Sequence, residues 1–268
     1  KPKVLFVSNV HGGIREAIEL SERFSMDLTT NYVAGYWSLS GHCMSLSPTA
    51  CLNELSKKLD AKFDVIIISS DMWSQFKDNV KAKIMAQVAA GTGLILCGPE
   101  GLPEELQKIF PVSEPGKFRF KAAWENSTHP LAAELPLAQM PLTRFLRYHV
   151  DTNVIASADG SPILAEAAFG KGKIFLATWE TKRPNPKKGL YNTASTFMLP
   201  LQFDEQPDIC HKYYEYQYAL FGRMVQAAAG LDSGVSATIT ATVNATKVTI
   251  KASKNCEADV RLTLRNKY

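Results

Sequence analysis

The sequence predicts an α/β fold of three layers. A mainly parallel sheet lies between helices, and a small antiparallel β segment follows at the C-terminal end. Two patterns carry this. Over residues 1–230, short and fully apolar runs alternate with amphipathic stretches, which is how strands buried on both faces of a parallel sheet read. From Ser236 the pattern changes to strict alternation, with Thr238, Thr240 and Thr242 set against Ile239, Ala241 and Val243. That is the period of a sheet with one wet face. The change of texture assigns residues 1–232 to the α/β domain and 233–268 to the antiparallel segment, which has the look of a truncated β-sandwich.

The elements follow in order. Lys3–Ser8 (KVLFVS) is a buried first strand. Residues 9–13 (NVHGG) turn, and a helix starts near Ile14 with Ile14, Ala17, Ile18 and Phe24 as its inner stripe. The glycines lack the GxGxxG spacing that cradles a dinucleotide pyrophosphate, so that class of site is rejected. Met26–Val33 reads as a second strand. Residues 34–47 hold Tyr36, Trp37 and His42 in a long polar loop. Ser47-Pro48 has the form of an N-cap followed by proline at the first helical position, and Leu52, Leu55 and Leu59 carry that helix to the strand Val65–Ser69. Val80, Ile84 and Val88 stripe the next helix, Gly91 ends it, and Leu94–Cys97 is the central strand.

Beyond it, Pro103–Phe110 predicts a short helix, Phe118–Trp124 an outlying strand and residues 126–130 a turn. Three strands, Asn153–Ala158, Pro162–Ala168 and Gly172–Trp179, are joined by the turns ADGS and FGKG. In the helix Tyr213–Ala229, residues Tyr216, Leu220, Met224 and Ala228 recur every four positions beside Phe221 and Val225, and Gly230 closes it. The tail adds three alternating runs. An immunoglobulin-like sandwich needs about seven strands, so we expect either a second domain that continues beyond them or strands packed on the first domain.

Composition narrows the function classes. With 268 residues, 46% hydrophobic and 21% charged, the chain suits one large globular domain with an appendage. A net charge of +4 without a long basic run argues against nucleic acid as a partner. No apolar segment reaches the roughly 20 residues of a membrane-spanning helix. The chain opens at Lys1 without Met or a signal-type run, so we expect that a leader or other residues once preceded it. The five cysteines, Cys43, Cys51, Cys97, Cys210 and Cys256, include no CxxC pair, so neither a zinc site nor another metal or cofactor is expected. Cys43 and Cys51 would bridge in an oxidising compartment or remain free thiols.

Ligands of open α/β sheets bind outside the carboxyl ends of the strands. The candidates for such a cleft are His11 after the first strand, Asp71 and Trp73 after the strand Val65–Ser69, Cys97, Gly98 and Glu100 after the central one, and Glu180 after the last. An acid beside an aromatic platform suits sugar binding, so Asp71 and Trp73 would share the cleft with Cys97. The plainer reading makes Asp71 an N-cap and Trp73 a packed core ring. Glu100 and Glu180 would form a carboxylate pair of the glycosidase kind, or two solvated rim residues. His11 reads more simply as a loop histidine. Arg144, Arg147 and His149 would receive an anion, or pair with surface carboxylates. Tyr214 and Tyr218 share one helical face, Tyr213 and Tyr216 another, and amphipathic tyrosine suits a helix–sheet boundary.

Residues 63–69 (FDVIIIS), 91–101 (GTGLILCGPEG), 129–136 (HPLAAELP), 158–180 (ADGSPILAEAAFGKGKIFLATWE) and 213–230 (YYEYQYALFGRMVQAAAG) together resemble the class I glutamine amidotransferase-like superfamily, whose fold is flavodoxin-like. The resemblance is to its non-amidotransferase branches, the trehalose-utilisation-type proteins and the trimerisation domains of bacterial beta-galactosidases. It implies a turn after the central strand where active members carry a nucleophilic cysteine. Here the Gly-x-Cys-x-Gly elbow is replaced by LCGPE, and no His-x-Glu occurs; His149-Val-Asp151 is the sole His-x-carboxylate. A cysteine nucleophile needs an imidazole in reach, so glutaminase activity is expected to be absent and Cys97 to be a core thiol. The expectation is a non-catalytic or accessory domain of a larger, secreted or periplasmic bacterial protein that handles carbohydrate, with carbohydrate or another domain of the same polypeptide as partner. The alternative is a hydrolase built on the cleft residues. A third reading is a scaffold that binds a partner through the aromatic loop 32–46.

Overall fold

A computed structural model describes residues 1–33, 47–69, 72–98, 104–110, 117–120, 123–140, 142, 144–147, 153–180, 207–231, 235–241 and 246–252. The chain divides into two compact units, Lys1–Gly230 and Leu231–Tyr268.

The first unit is built on a seven-stranded sheet. In chain order its early elements are β1 (Lys3–Asn9), α1 (Val10–Arg23), β2 (Asp27–Val33), α2 (Pro48–Lys58), β3 (Val65–Ile68), the single turn α3 (Met72–Gln75), α4 (Asp78–Ala89), β4 (Gly93–Cys97) and the short α5 (Glu104–Gln107). After them come β5 (Lys117–Phe120), β6 (Arg144–Arg147), β7 (Val154–Ala158), β8 (Ser161–Phe169), β9 (Gly172–Ala177), β10 (Trp179–Glu180) and α6 (Pro207–Ala228). The sheet order is β2-β1-β3-β4-β9-β8-β7. The five strands from β2 to β9 are parallel, and β8 and β7 add an antiparallel edge. The α/β class and the adjacency of the three apolar runs β1, β3 and β4 are therefore as the sequence predicts.

Alternate residues of these strands feed two separate cores. Val4, Phe6, Val65, Ile67, Ile95, Cys97, Phe175 and Ala177 pack under α1 and α6. Leu5, Val7, Ile66, Ile68, Leu94, Leu96, Ile174 and Leu176 pack under α2 and α4. The caps behave as read. The Ser47 hydroxyl accepts the Ala50 amide, Pro48 opens α2, and Val80, Ile84 and Val88 are all buried. The β7–β8 turn places Asp159 and Gly160 at φ 47° and 70°, the left-handed pair that a two-residue hairpin needs. Gly93 is dictated by packing instead: a Cβ there would lie 2.3 Å from the Ala228 carbonyl oxygen at the end of α6.

Three details differ from the sequence reading. First, α1 starts at Val10, so the two glycines lie inside its opening turns. Its inner stripe is Glu16, Ala17 and Leu20 with Phe24 packed against them, while Ile14 and Ile18 are 38% and 53% exposed. At 100° per residue the inner set spans about 100° of the helix, and the two isoleucines fall outside it. Second, the strand expected over Gly172–Trp179 ends at Ala177. Trp179 and Glu180 pair instead with Phe145 and Arg144 in a three-stranded sheet of order β10-β6-β5. Third, Tyr216 is partly exposed on α6, and the buried face is Tyr218, Leu220, Phe221, Met224, Val225 and Ala228.

In the second unit, β11 (Val235–Ala241) and β12 (Thr246–Ala252) form an antiparallel pair. Its register sets Ile239 opposite Val248 and Ala237 opposite Ile250, while Thr238 meets Thr249. The apolar positions of the two runs are thus in step. The third run, with Val260, Leu262 and Leu264, lies outside the described residues.

Candidate functional site

From β1 the chain passes through α1 to β2 on one side of the sheet, then through α2 to β3 on the other. The carboxyl ends of β1 and β3 are therefore a topological switch point, where open α/β sheets leave a crevice. The residues at this edge stand level. Ser8 is in register with Tyr32 of β2, and Cys97 with Ala177 of β9. Val7 pairs with Ile68 and Ile68 with Leu96, so one step further Ser8, Ser69 and Cys97 form a row. The Ser69 amide continues the ladder by donating to the Val7 carbonyl at 2.8 Å. Two-residue periodicity places Ser8, Ser69 and Cys97 on the face of Phe6, Ile67 and Ile95, the side covered by α1 and α6.

Glu16 of α1 reaches this row. It is 0% exposed, and the Ser69 hydroxyl donates to its Oε2 at 3.2 Å. Its charge is felt along the row. Burial pushes the Cys97 thiol well above 9.0, and the Glu16 carboxylate pushes it further. Tyr32 is raised by burial and by Glu16, against a hydrogen bond from Thr30 that lowers it. The Ser8 hydroxyl is buried and has no hydrogen-bond partner among the described residues.

The candidate residues read from the sequence are placed as follows. Cys97 is the last residue of β4, 1% exposed, and points into the core. The turn comes one residue later, at Gly98, whose φ of 55° is the left-handed conformation that glycine adopts freely and whose amide donates to the Ala177 carbonyl. An activated elbow needs the reverse, a cysteine on the turn itself and open to substrate. Trp73 is buried in the opposite layer, under α2 and α4, against the ring of Phe76 at 6.1 Å. It therefore does not share a crevice face with Cys97. Glu180 stands opposite Arg144 in the small sheet. His11 lies in the first turn of α1. The side chains of His11 and Glu180, and all of Asp71, Glu100, Cys43 and the loop 34–46, lie outside the described residues. Cys51 is a buried free thiol in α2. His129 accepts the Leu131 amide at Nδ1 within its own loop.

Sequence reasoning passed over Ser8, Ser69, Tyr32 and Glu16. A signal was present for three of them. Both KVLFVS and VIIISS end an apolar run on serine, and Glu16 sits between apolar positions of a helix that covers a parallel sheet. Among the described residues no group of three His, Cys, Asp or Glu side chains is arranged to hold a metal ion. An open groove of about 210 Å³ lies between α2 and α4, lined by Asn53, Lys57, Asp60, Lys77 and Lys83. Lys83 there is engaged by Asp60 at 2.7 Å and by the Ser56 carbonyl.

No family model matches this sequence, and no curated protein matches it significantly. Solved structures follow a similar chain path. Two cytoplasmic proteins from Salmonella typhimurium are each 13% identical and are covered over 99% of their length; they match 85% and 84% of this chain with TM-scores of 0.49 and 0.48. A beta-galactosidase from Rahnella sp. R3 is 11% identical, with 89% of this chain matched to 34% of that enzyme at a TM-score of 0.44. Likenesses at this level say nothing about ligand or activity.

Proposed function

We propose that residues 1–232 are a non-catalytic, accessory domain of the amidotransferase-like type, and that 233–268 form a separate β segment of the same chain. The observation that supports this reading is the state of Cys97. Its thiol is closed to solvent, held in its neutral form by burial, and flanked by a carboxylate that opposes a thiolate. A cysteine nucleophile needs the opposite environment, an electropositive and accessible one. The association with a larger, secreted bacterial protein that handles carbohydrate is part of the same proposal. It rests on the resemblance of the segments around Cys97 and residues 158–180 to the trehalose-utilisation-type and beta-galactosidase branches.

The test is thiol reactivity together with glutamine turnover in the folded chain. Cys97 is expected to resist iodoacetamide at pH 7 until the protein unfolds, and glutamine hydrolysis is expected to stay at background. Fast alkylation of Cys97 in the native state, with turnover that disappears in Cys97→Ala, would replace this reading with a cysteine-dependent hydrolase.

A further inference from the structure

The seven-stranded sheet has two edges, and they are finished differently. At the β7 edge the Glu125 amide donates to the Ser157 carbonyl at 2.8 Å and Trp124 bridges to Ala158, so part of that edge is already paired. At the other edge stands β2, which among the described residues pairs with β1 alone. The Asp27 amide donates to the Pro2 carbonyl, so Asp27, Thr29, Asn31 and Val33 turn their backbone groups to β1. By the two-residue period, Leu28, Thr30 and Tyr32 turn theirs outward. Such a row of amides and carbonyls is a template for another strand.

One charged group stands on this row. The Lys58 ammonium, from the last turn of α2, donates to the Thr30 carbonyl at 3.0 Å. Asn31 holds it there. Its Oδ1 accepts from the same ammonium at 3.2 Å, and its Nδ2 donates to the Cys51 carbonyl of α2 at 3.3 Å. Asn31 is 3% exposed, and a buried amide is costly unless hydrogen-bonded; here both of its ends are engaged. Among the described residues Lys58 has no carboxylate partner, so its charge stays uncompensated at the edge.

We propose that Lys58 is a guard that stops a second copy of this chain from extending the sheet through β2. A second copy is the occupant it opposes most strongly. Antiparallel pairing of two β2 strands about a twofold axis at Thr30 would set Leu28 opposite Tyr32, Thr29 opposite Asn31 and Asp27 opposite Val33. Nothing in the strands themselves forbids that pairing. The two Thr30 α-carbons would approach to about 5.5 Å. Both α2 helices would then lie on the same face of the joined sheet, and the two Lys58 ammoniums would meet at the axis, each on its own Thr30 carbonyl. The carbonyl that the partner's Thr30 amide needs is already taken, and the two like charges repel. Charged side chains, lysine above all, blunt exposed edges in this way; here a neighbouring helix supplies the charge. The inference is independent of the accessory-domain reading and of Cys97.

The experiment is sedimentation velocity of the intact chain across a dilution series, with circular dichroism to verify the fold. Lys58→Met keeps the aliphatic stem and removes the charge, and should self-associate at least about tenfold more tightly than wild type. Lys58→Arg should behave as wild type. Thr30→Pro removes an outward amide, which an edge strand tolerates, and should return Lys58→Met to wild-type behaviour. An equimolar mixture of wild type and Lys58→Glu should associate more strongly than either protein alone, because the axis then brings unlike charges together. Self-association of folded Lys58→Met no stronger than that of wild type overturns the proposal. Association that persists when Thr30→Pro is added to Lys58→Met overturns it too, since it would use another surface. A wild-type dimer weakened by Thr30→Pro has the same force, because the edge would then be open despite Lys58. If Lys58→Met does not fold, the mixture decides, and no gain over the separate proteins overturns the proposal.

Discussion

The two faces of the sheet end differently. Under α2 and α4, Val7, Ile68, Leu96 and Leu176 stand level and buried. One residue further along the same strands, under α1 and α6, stand Ser8, Ser69, Cys97 and Ala177, with Glu16 above them. Both sets are sealed from solvent, so burial does not distinguish them. Chemistry does. At this level one face is apolar across four strands, its buried polar residue Asn31 lying on β2 against α2, and the other gives up apolar contact where parallel strands deliver their side chains to a switch point. Both faces are packed cores, and the second turns polar in its last row.

The most direct way to break this comparison is to substitute neighbouring residues of one strand. Ile68→Ala should cost about 2–5 kcal/mol, the transfer and cavity terms of a fully buried aliphatic side chain. Ser69→Ala should cost less, about 1–3 kcal/mol, through loss of the hydroxyl that donates to Glu16. Urea unfolding measures both, and an equal or reversed order would remove the distinction between the faces.

A second way uses pH. In the unfolded chain Cys97 ionises near 8.5, whereas the fold holds it protonated well above 9.0, by burial first and by the Glu16 charge second. Above about pH 8.5 the unfolded state sheds a proton that the folded state keeps. The folded state is thus at full advantage below that pH and loses it as pH rises, by up to about 1.4 kcal/mol per pH unit for this one group. Tyr32, raised mainly by burial, adds the same sign above about pH 10. Urea midpoints from pH 7 to 10 should show the decline, and Cys97→Ala should flatten its first part. A slope unchanged by that substitution would show that the row does not hold the proton.

The smallest effect belongs to the packing face. Ser47→Ala removes the hydroxyl that accepts the Ala50 amide at the start of α2, and should cost about 1 kcal/mol. It should leave Cys97 as unreactive as before; rapid alkylation of that thiol in Ser47→Ala would mean that the two faces are coupled through the sheet.

How far the sequence could be read differed between the same two faces. VIII and GLILC announce their strands because a strand covered on both sides has nothing but apolar residues to show. The Ser47-Pro48 cap and the Val80, Ile84, Val88 stripe are local signals, and α2 and α4 came out accordingly. On α1 the reading picked Ile14 and Ile18 for the inner stripe because isoleucine is the more apolar choice. The helix instead turns Glu16 and Ala17 inward, since the short connection from β1 fixes its rotation. Cys97 could be located at a strand end, but whether it occupied the turn or the core depended on Gly98 taking the left-handed φ one position later.

By itself, then, the sequence determined the α/β class, the parallel neighbours β1, β3 and β4, the helix caps and the antiparallel tail pair, because each follows from the period of side chains along a few consecutive residues. Only the tertiary structure decided that Ser8, Ser69, Cys97 and Glu16 belong together. They are separated by up to 89 positions, and nothing in a local pattern records that parallel strands in register bring their last residues level beneath one turn of a helix.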